Sequence, residues 1–259
     1  MLIFVINLDS SKDRFNGISK KFKDLNLDFE RVSAVNGKII DENEIKRITY
    51  PIDHKSKVLF PRELTRGEIG CFLSHKKCWE KLINSNEQWA AIIEDDVKIS
   101  KYATLFLKDV SWIPKDVKIC KLSLLRDNIK CESESKELKV NDKFKLEIPL
   151  WPEPLGTQGY LISREVAQRA IALSNKIIAP VDNFLFSKWF QIARIYDIWS
   201  INPFIIKEDD LQESVIGDRN KNVKKSNFLL RHGFKRNKLD AIVDKKRRSN
   251  IKKVYEFIE

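Results

Sequence analysis

A chain of 259 residues with 42% hydrophobic and 10% aromatic content carries enough apolar material for one large core or two small domains. Its four cysteines, Cys71, Cys78, Cys120 and Cys131, make no C-x-x-C pair, and three histidines are too few for a Cys/His zinc pattern, so neither disulfide staples nor structural zinc is expected. The net charge of +11 invites a nucleic-acid reading, yet residues 219–259 hold 14 Lys and Arg against 4 Asp and Glu, leaving 34 basic and 33 acidic residues over 1–218. The body is neutral, and no nucleic acid is expected as a partner.

LIFVINL (2–8) is a continuous apolar run of the kind found in a strand buried on both faces. With no basic segment before it and no small-residue cleavage site after it, it reads as a strand and not as a signal peptide. DSSKDR follows with Ser10 or Ser11 as helix N-cap, and Phe15, Ile18, Phe22 and Leu25 then recur at helical spacing. LDFERVSAVNG (27–37) completes a βαβ unit. Residues 41–64, with Pro51 and Pro61, read as an irregular excursion. At Thr65 and Glu68 a T-x-x-E capping box opens a helix whose apolar face carries Ile69, Phe72, Leu73, Trp79, Leu82 and Ile83. His75 lies on that face, between Phe72 and Trp79, and reads as a hydrogen-bonded packing residue.

AAII, the run before the acid cluster, is the next strand, VKICKLSLL (117–125) and FKLEIPL (144–150) are further strands, and the charged stretch between them reads as a loop. LGTQGYLIS (155–163) is a strand with glycines, Ser163 caps REVAQRAIAL, and DIWSINPFII (197–206) is a late strand. Strands alternating with helices imply an α/β fold around a mainly parallel sheet, in one domain over 1–218, with a basic, partly helical tail over 219–259. Nowhere do ~18 apolar residues run together, so no spanning helix is expected. A reducing, cytoplasmic compartment fits.

Glu94, Asp95 and Asp96 follow the apolar run directly. Bunched carboxylates repel one another unless water or a cation lies between them, and in an open parallel sheet ligands bind at such strand ends. Alternation along a strand puts Glu94 and Asp96 on one side, a pair of oxygen ligands suited to Mn²⁺ or Mg²⁺ and through it to a diphosphate. A solvated turn is the competing reading. A second acid cluster, Glu208, Asp209 and Asp210, also follows an apolar run; it could complete the metal or acceptor site, and a solvated turn is the preferred reading.

Taken in order, VINLDSSKDR, AVNG, TRGEIGCFLSHKKCW, AAIIEDD, GTQGYLIS and APVDNFL resemble glycosyltransferase family 25, the lipopolysaccharide and lipooligosaccharide sugar transferases of Gram-negative bacteria. The similarity spans about residues 2–216. It implies a GT-A-like nucleotide-binding domain, a divalent metal on an acidic motif, a UDP-hexose donor such as UDP-galactose, and inversion at the anomeric carbon. By the same resemblance Asp96 is the direct metal ligand, with Glu94 a second, and Glu94 or Asp95 also meets the ribose or a metal-bound water. Asn7, Leu8, Asp9 and Arg14 match the family's first βα loop, where the nucleotide is expected. Gly156, Thr157 and Gln158 match its G-x-x-G-Y segment, placing glycine backbone and hydrogen-bonding side chains against the sugar. Asp182, in P-V-D, is the implied general base; its plainer role would be a helix N-cap.

In the tail, Phe228, Leu229 and Leu230 precede Leu239, Ile242 and Val243 at helical spacing, then KKRR (245–248). Such a segment reads as an anchor for an anionic inner-membrane surface, where each basic residue contributes on the order of 1 kcal/mol; a merely solvated charged tail is the competing reading. That suits a lipid-linked oligosaccharide acceptor. The alternative from another class is a metal-dependent nuclease or phosphotransferase using the same acids.

Overall fold

The computed structural model describes residues 1–50, 62–124, 129–151, 155–209 and 252–259. In chain order the strands are β1 (Leu2–Asn7), β2 (Glu30–Ser33), β3 (Trp89–Glu94), β4 (Val97–Ile99), β5 (Ile119–Lys121), β6 (Ser123–Leu124), β7 (Ile129–Lys139), β8 (Lys145–Trp151), β9 (Gly159–Ser163), β10 (Trp199–Asn202), β11 (Ile206–Glu208) and β12 (Lys252–Tyr255). The helices are α1 (Lys12–Asp24), α2 (Glu42–Ile48), α3 (Arg66–Asn84), α4 (Thr104–Leu107), α5 (Arg164–Leu173), α6 (Val181–Phe186) and α7 (Gln191–Ile195).

Nine strands form one sheet in the order β12-β7-β8-β10-β5-β9-β3-β1-β2, and β4-β11-β6 form a second. The pairs β1/β2, β1/β3 and β5/β10 are parallel. The pairs β3/β9, β5/β9, β8/β10, β7/β8 and β7/β12 are antiparallel. The mainly parallel sheet expected from the strand–helix alternation is therefore a mixed one. Its parallel part is confined to the β2-β1-β3 edge and the β5/β10 pair, because β9 enters between β3 and β5 running the other way. Between β6 and β9 the chain makes the β7/β8 hairpin. Its first strand occupies the stretch read from the sequence as a charged loop. Lys136, Glu137 and Lys139 of β7 are exposed, so burial imposes no apolar alternation there.

Alternation along the strands builds the core. Ile3 and Val5 of β1 and Ala91 and Ile93 of β3 face a cluster with Ile18 and Phe22 of α1 and Trp199 of β10. Phe4, Ile6, Ala90 and Ile92 face the opposite cluster, with Phe72, Trp79 and Leu82 of α3 and buried residues of α5, α6 and α7. Helices thus cover both faces of the β1/β3 region, which is why those strands read as unbroken apolar runs.

The capping box at α3 is present: Thr65 Oγ1 accepts from the Glu68 N–H, and Glu68 Oε2 accepts from the Thr65 N–H at 2.8 Å. Arg62 locks the box by a two-pronged ion pair with Glu68, at 2.8 and 2.5 Å. Ser11 takes the N-cap position of α1 but makes no side-chain cap bond. The excursion at 41–64 contains α2, capped by Asp41, whose carboxylate accepts from the Asn43 and Glu44 N–H groups. LGTQGYLIS and DIWSINPFII are shorter as strands than expected, and VKICKLSLL and DIWSINPFII each divide between the two sheets. The basic amphipathic segment of the tail, up to residue 251, lies outside the described residues; Lys252–Tyr255 then pair antiparallel with Ile129–Glu132.

One contact fixes the wall of the functional cleft. Gly37, in a short 3-10 turn after β2, lies so close to α3 that an added Cβ would fall 1.7 Å from the Arg66 carbonyl oxygen, and a Cβ on Gly70 would fall 2.5 Å from that of Val35. Gly37→Ala is therefore expected to cost about 2 kcal/mol in a urea titration. Gly17→Ala, where an added Cβ meets nothing within 4 Å on exposed α1, is expected to gain about 0.5–1 kcal/mol in the same measurement.

Candidate active site

The parallel strands β1 and β3 end side by side, with Ile6 opposite Glu94, and the loops leaving them meet. Asn7 is buried beneath that junction. Its Nδ2 donates to Asp95 Oδ2 at 2.6 Å and to the Ser11 carbonyl at 3.0 Å, while its Oδ1 accepts from Arg31 Nε at 3.0 Å. Arg14, from the first turn of α1, lies 3.4 Å from both Asp95 Oδ1 and Asp96 Oδ2. Burial pushes the Asp95 carboxyl up against the opposing pull of Asn7 and Arg14. Asp96 is pushed up to about 7, first by burial and then by Glu94 and Asp95, with Glu208 adding to them and Arg14 opposing. Its Oδ1 is buried and has no hydrogen-bond partner among the described residues.

Glu94 is held from the other side. Its Oε1 accepts from Thr157 Oγ1 at 2.6 Å and lies 3.3 Å from His75 Nε2. His75 Nδ1 lies 3.0 Å from Tyr160 Oη, which also accepts from Trp79 Nε1 at 3.0 Å. With the indole N–H on its oxygen, the Tyr160 hydroxyl donates to His75 Nδ1, which leaves His75 Nε2–H directed at Glu94. His75 is thus the hydrogen-bonded packing residue expected, and it also orients an acid. Cys71, His75 and Glu94 place donor atoms within 4.8 Å of one another, but this chain already engages both His75 nitrogens.

Glu208 and Asp209, the described part of the second acid cluster, do not form a solvated turn. β11 runs antiparallel to β4 with Glu208 opposite Val97, and the Asp209 N–H donates to the Asp96 carbonyl at 2.8 Å. The Asp209 carboxylate is nearly buried and faces Lys21 and Lys98. Asp210 lies outside the described residues.

A cleft of about 350 Å³ opens over these acids, lined by Leu8, Arg14, Lys38, Arg66, His75 and all three members of the cluster. A larger hollow of about 490 Å³ lies beside α2, but the acids gather in the smaller one. Asp9 turns outward, exposed and bound to Arg31 and Ser33 at 2.5 and 2.8 Å, and these contacts hold its carboxyl below the usual range. Gly156, Thr157 and Gln158 lie behind Glu94, whose N–H donates to the Gln158 carbonyl at 3.1 Å. Gln158 Oε1 is buried without a hydrogen-bond partner among the described residues. Asp182 sits in the first turn of α6, whose N-cap is Pro180; it accepts from the Gly156 N–H at 3.3 Å and the Asn183 N–H at 2.8 Å. Gly156 thereby joins the predicted base to the predicted acid cluster.

Lys121 escapes the motif reading although a lone lysine within the apolar run VKICKLSLL is a visible signal. It is fully buried at the end of β5, and burial pushes its amine down to about 7 against the opposing pull of Asp182 and Glu94.

An oxygen-rich cluster containing a buried, unpaired carboxylate oxygen fits a hard divalent cation. Folded and without metal, Asp96 keeps its proton up to about 7, whereas the unfolded chain loses it near 3.8, so stability falls as pH rises between those values. In chelator-treated protein, Asp96→Asn is therefore expected to raise the Tm at pH 8 by about 4 °C or more and to leave it unchanged at pH 4; scanning calorimetry at both pH values checks this.

The family model "Glycosyltransferase family 25 (LPS biosynthesis protein)" matches residues 1–185. The chain is 30% identical over 190 residues to procollagen galactosyltransferase 2 of Homo sapiens, covering 71% of this chain and 29% of that protein. It is 32% identical over 154 residues to the lipooligosaccharide biosynthesis protein lex-1 of Haemophilus influenzae, covering 56% and 50%. With lic2B, another lipooligosaccharide biosynthesis protein of Haemophilus influenzae, it shares 30% identity over 197 residues, covering 73% and 70%. The chain thus spans half or less of the length of the first two relatives. A solved glycosyltransferase involved in glycosylating the major capsid of PBCV-1 covers 82% of the chain at 10% identity and a TM-score of 0.38, a level that carries no argument. With the first βα loop, the start of α3 and the acid cluster lining one cleft and more than half of its length matched, this chain belongs to glycosyltransferase family 25.

Proposed function

We propose that the chain transfers a hexose from a UDP-sugar, specifically galactose from UDP-galactose, to a lipooligosaccharide acceptor, with inversion at the anomeric carbon in a GT-A-type site. The observation that carries this reading is Asp96 Oδ1, buried and without a hydrogen-bond partner among the described residues, in a residue that lines a cleft flanked by basic side chains at the end of parallel strands. The galactosyltransferase and lipooligosaccharide names of the relatives support the choice of sugar and acceptor.

Asp96 and Glu94 would hold Mn²⁺ or Mg²⁺, with Glu208 close by. A cation there supplies neutralisation of the donor's diphosphate as it departs. Leu8 and Arg14 line the nucleotide side, and Arg14 bridges Asp95 and Asp96 so that a basic group stands beside the diphosphate. Asn7 serves from beneath, by fixing Asp95. Asp9, bound outward to Arg31 and Ser33, ties the first βα loop to β2. Gly156, Thr157 and Gln158 support the sugar subsite from behind, Thr157 and the Gln158 carbonyl by fixing Glu94. Asp182 takes the proton of the attacking acceptor hydroxyl as its oxygen bonds to the anomeric carbon and the bond to the diphosphate breaks. No helix among the described residues is long and apolar enough to cross a membrane, and the basic residues of 219–259 provide peripheral attachment to the anionic inner leaflet from the cytoplasmic side.

The test is a screen of UDP-hexoses with Mn²⁺, reading released UDP with and without lipooligosaccharide. UDP-galactose is expected to give acceptor-dependent release. Asp96→Ala is expected to abolish turnover, and Asp182→Asn to lower kcat by roughly 10²–10⁴ while UDP binding by calorimetry is retained. Full activity of Asp182→Asn would remove that residue as the base. Metal-independent, strongly salt-dependent binding of duplex DNA in place of UDP binding would overturn the transferase reading altogether.

A further inference from the structure

Lysine is almost never fully buried unless a carboxylate pairs with it. Lys121 is fully buried, and among the described residues its ammonium meets no carboxylate within ion-pair distance. Its Nζ donates to the carbonyl oxygens of Gly156 at 2.5 Å and Leu155 at 3.5 Å, and sits 4.3 Å from the centroid of the Phe186 ring. A buried charge so placed is costly, and a methionine would fill the same volume without that cost.

What the charge holds is specific. Gly156 gives its carbonyl to Lys121 and its N–H to Asp182 Oδ2, so one residue links both side chains. Its φ of +96° is a conformation open to glycine, and an added Cβ would meet Gln158 Oε1 at 2.5 Å. One residue on, Thr157 Oγ1 donates to Glu94. Phe186, on the other side of the ammonium, belongs to the same short helix as Asp182. Lys121 therefore touches the helix that carries the acceptor-side acid and the loop that hydrogen-bonds it, and reaches the metal-side acid through two consecutive residues.

We propose that Lys121 is a positioning residue for glycosyl transfer, holding the 155–158 loop and α6 in the register that sets Asp182 and Glu94 against one reaction space. The inference rests on the transferase reading. It assigns Lys121 no contact with donor or acceptor, so removing its charge should slow the chemical step and spare nucleotide affinity.

The experiment compares the full-length wild type with Lys121→Met and Lys121→Arg, measuring thermal midpoint, Mn²⁺-dependent UDP binding by calorimetry, and kcat and KM for UDP-galactose with lipooligosaccharide. Lys121→Met is expected to melt cooperatively and to keep the UDP Kd and donor KM within threefold of wild type. Its kcat should fall at least 100-fold, with Lys121→Arg recovering at least tenfold of that loss. A folded Lys121→Met with kcat within threefold of wild type overturns the proposal. So does a fall in UDP affinity that parallels the fall in kcat, which marks a purely structural role. If Lys121→Met does not fold, Phe186→Leu carries the test: a tenfold lower kcat at unchanged KM supports the proposal, and an unchanged kcat overturns it. A wild type that neither binds UDP nor turns over any UDP-hexose defeats the transferase reading itself, a result visible before any variant is made.

Discussion

Mutual repulsion among the carboxylates at the end of β3 is the constraint around which this site is arranged. Each of the three is handled differently. Glu94 is tied by Thr157 and His75, and Asp95 by Asn7 and Arg14. Among the described residues, Asp96 shares only the long Arg14 contact through Oδ2, and its Oδ1 is buried without a hydrogen-bond partner. Burying an unpaired carboxylate oxygen is unfavourable in the empty protein, and such local cost is characteristic of positions kept for a ligand. The neighbouring elements respond to the same constraint: α1 supplies Arg14, β9 and its entry loop supply Thr157, and β11 brings Glu208 and Asp209 alongside.

This arrangement explains why the mixed sheet matters to function. With β9 antiparallel between β3 and β5, its N-terminal entry loop emerges at the same edge as the C-terminal ends of those two strands. The segment Gly156–Gln158 can therefore lie between Glu94 from β3 and Lys121 from β5. A fully parallel order would have sent that loop to the opposite edge.

Much of this was legible in the sequence wherever one local signal decided the outcome. The T-x-x-E box began α3, the apolar runs gave β1 and β3, and Glu94–Asp96 emerged where a buried strand ends. Strand direction was not legible, because nothing in LGTQGYLIS distinguishes a parallel from an antiparallel neighbour. The charges of IKCESESKELK hid β7, and Asp41 with Glu44, a usable start signal for α2, was lost against the prolines that follow. Asp9 matched a motif but turned outward, since Arg31 and Ser33 on β2 compete for it. Glu208 and Asp209 could be placed only by the pairing of β11 with β4, a long-range event without a local signature. The role of Lys121 likewise depended on partners from two distant segments.

The strand β12 sets the character of one margin of the large sheet. Lys252–Tyr255 pair with Ile129–Glu132, the Phe204 N–H donates to the Glu256 carbonyl, and the Ile258 N–H donates to the Phe204 carbonyl. The outermost strand beside the long β7 is thereby only four residues long and is laced at its end to the segment between β10 and β11. A margin that short offers a poor template for a further strand from another molecule, so the sheet is guarded against growing sideways.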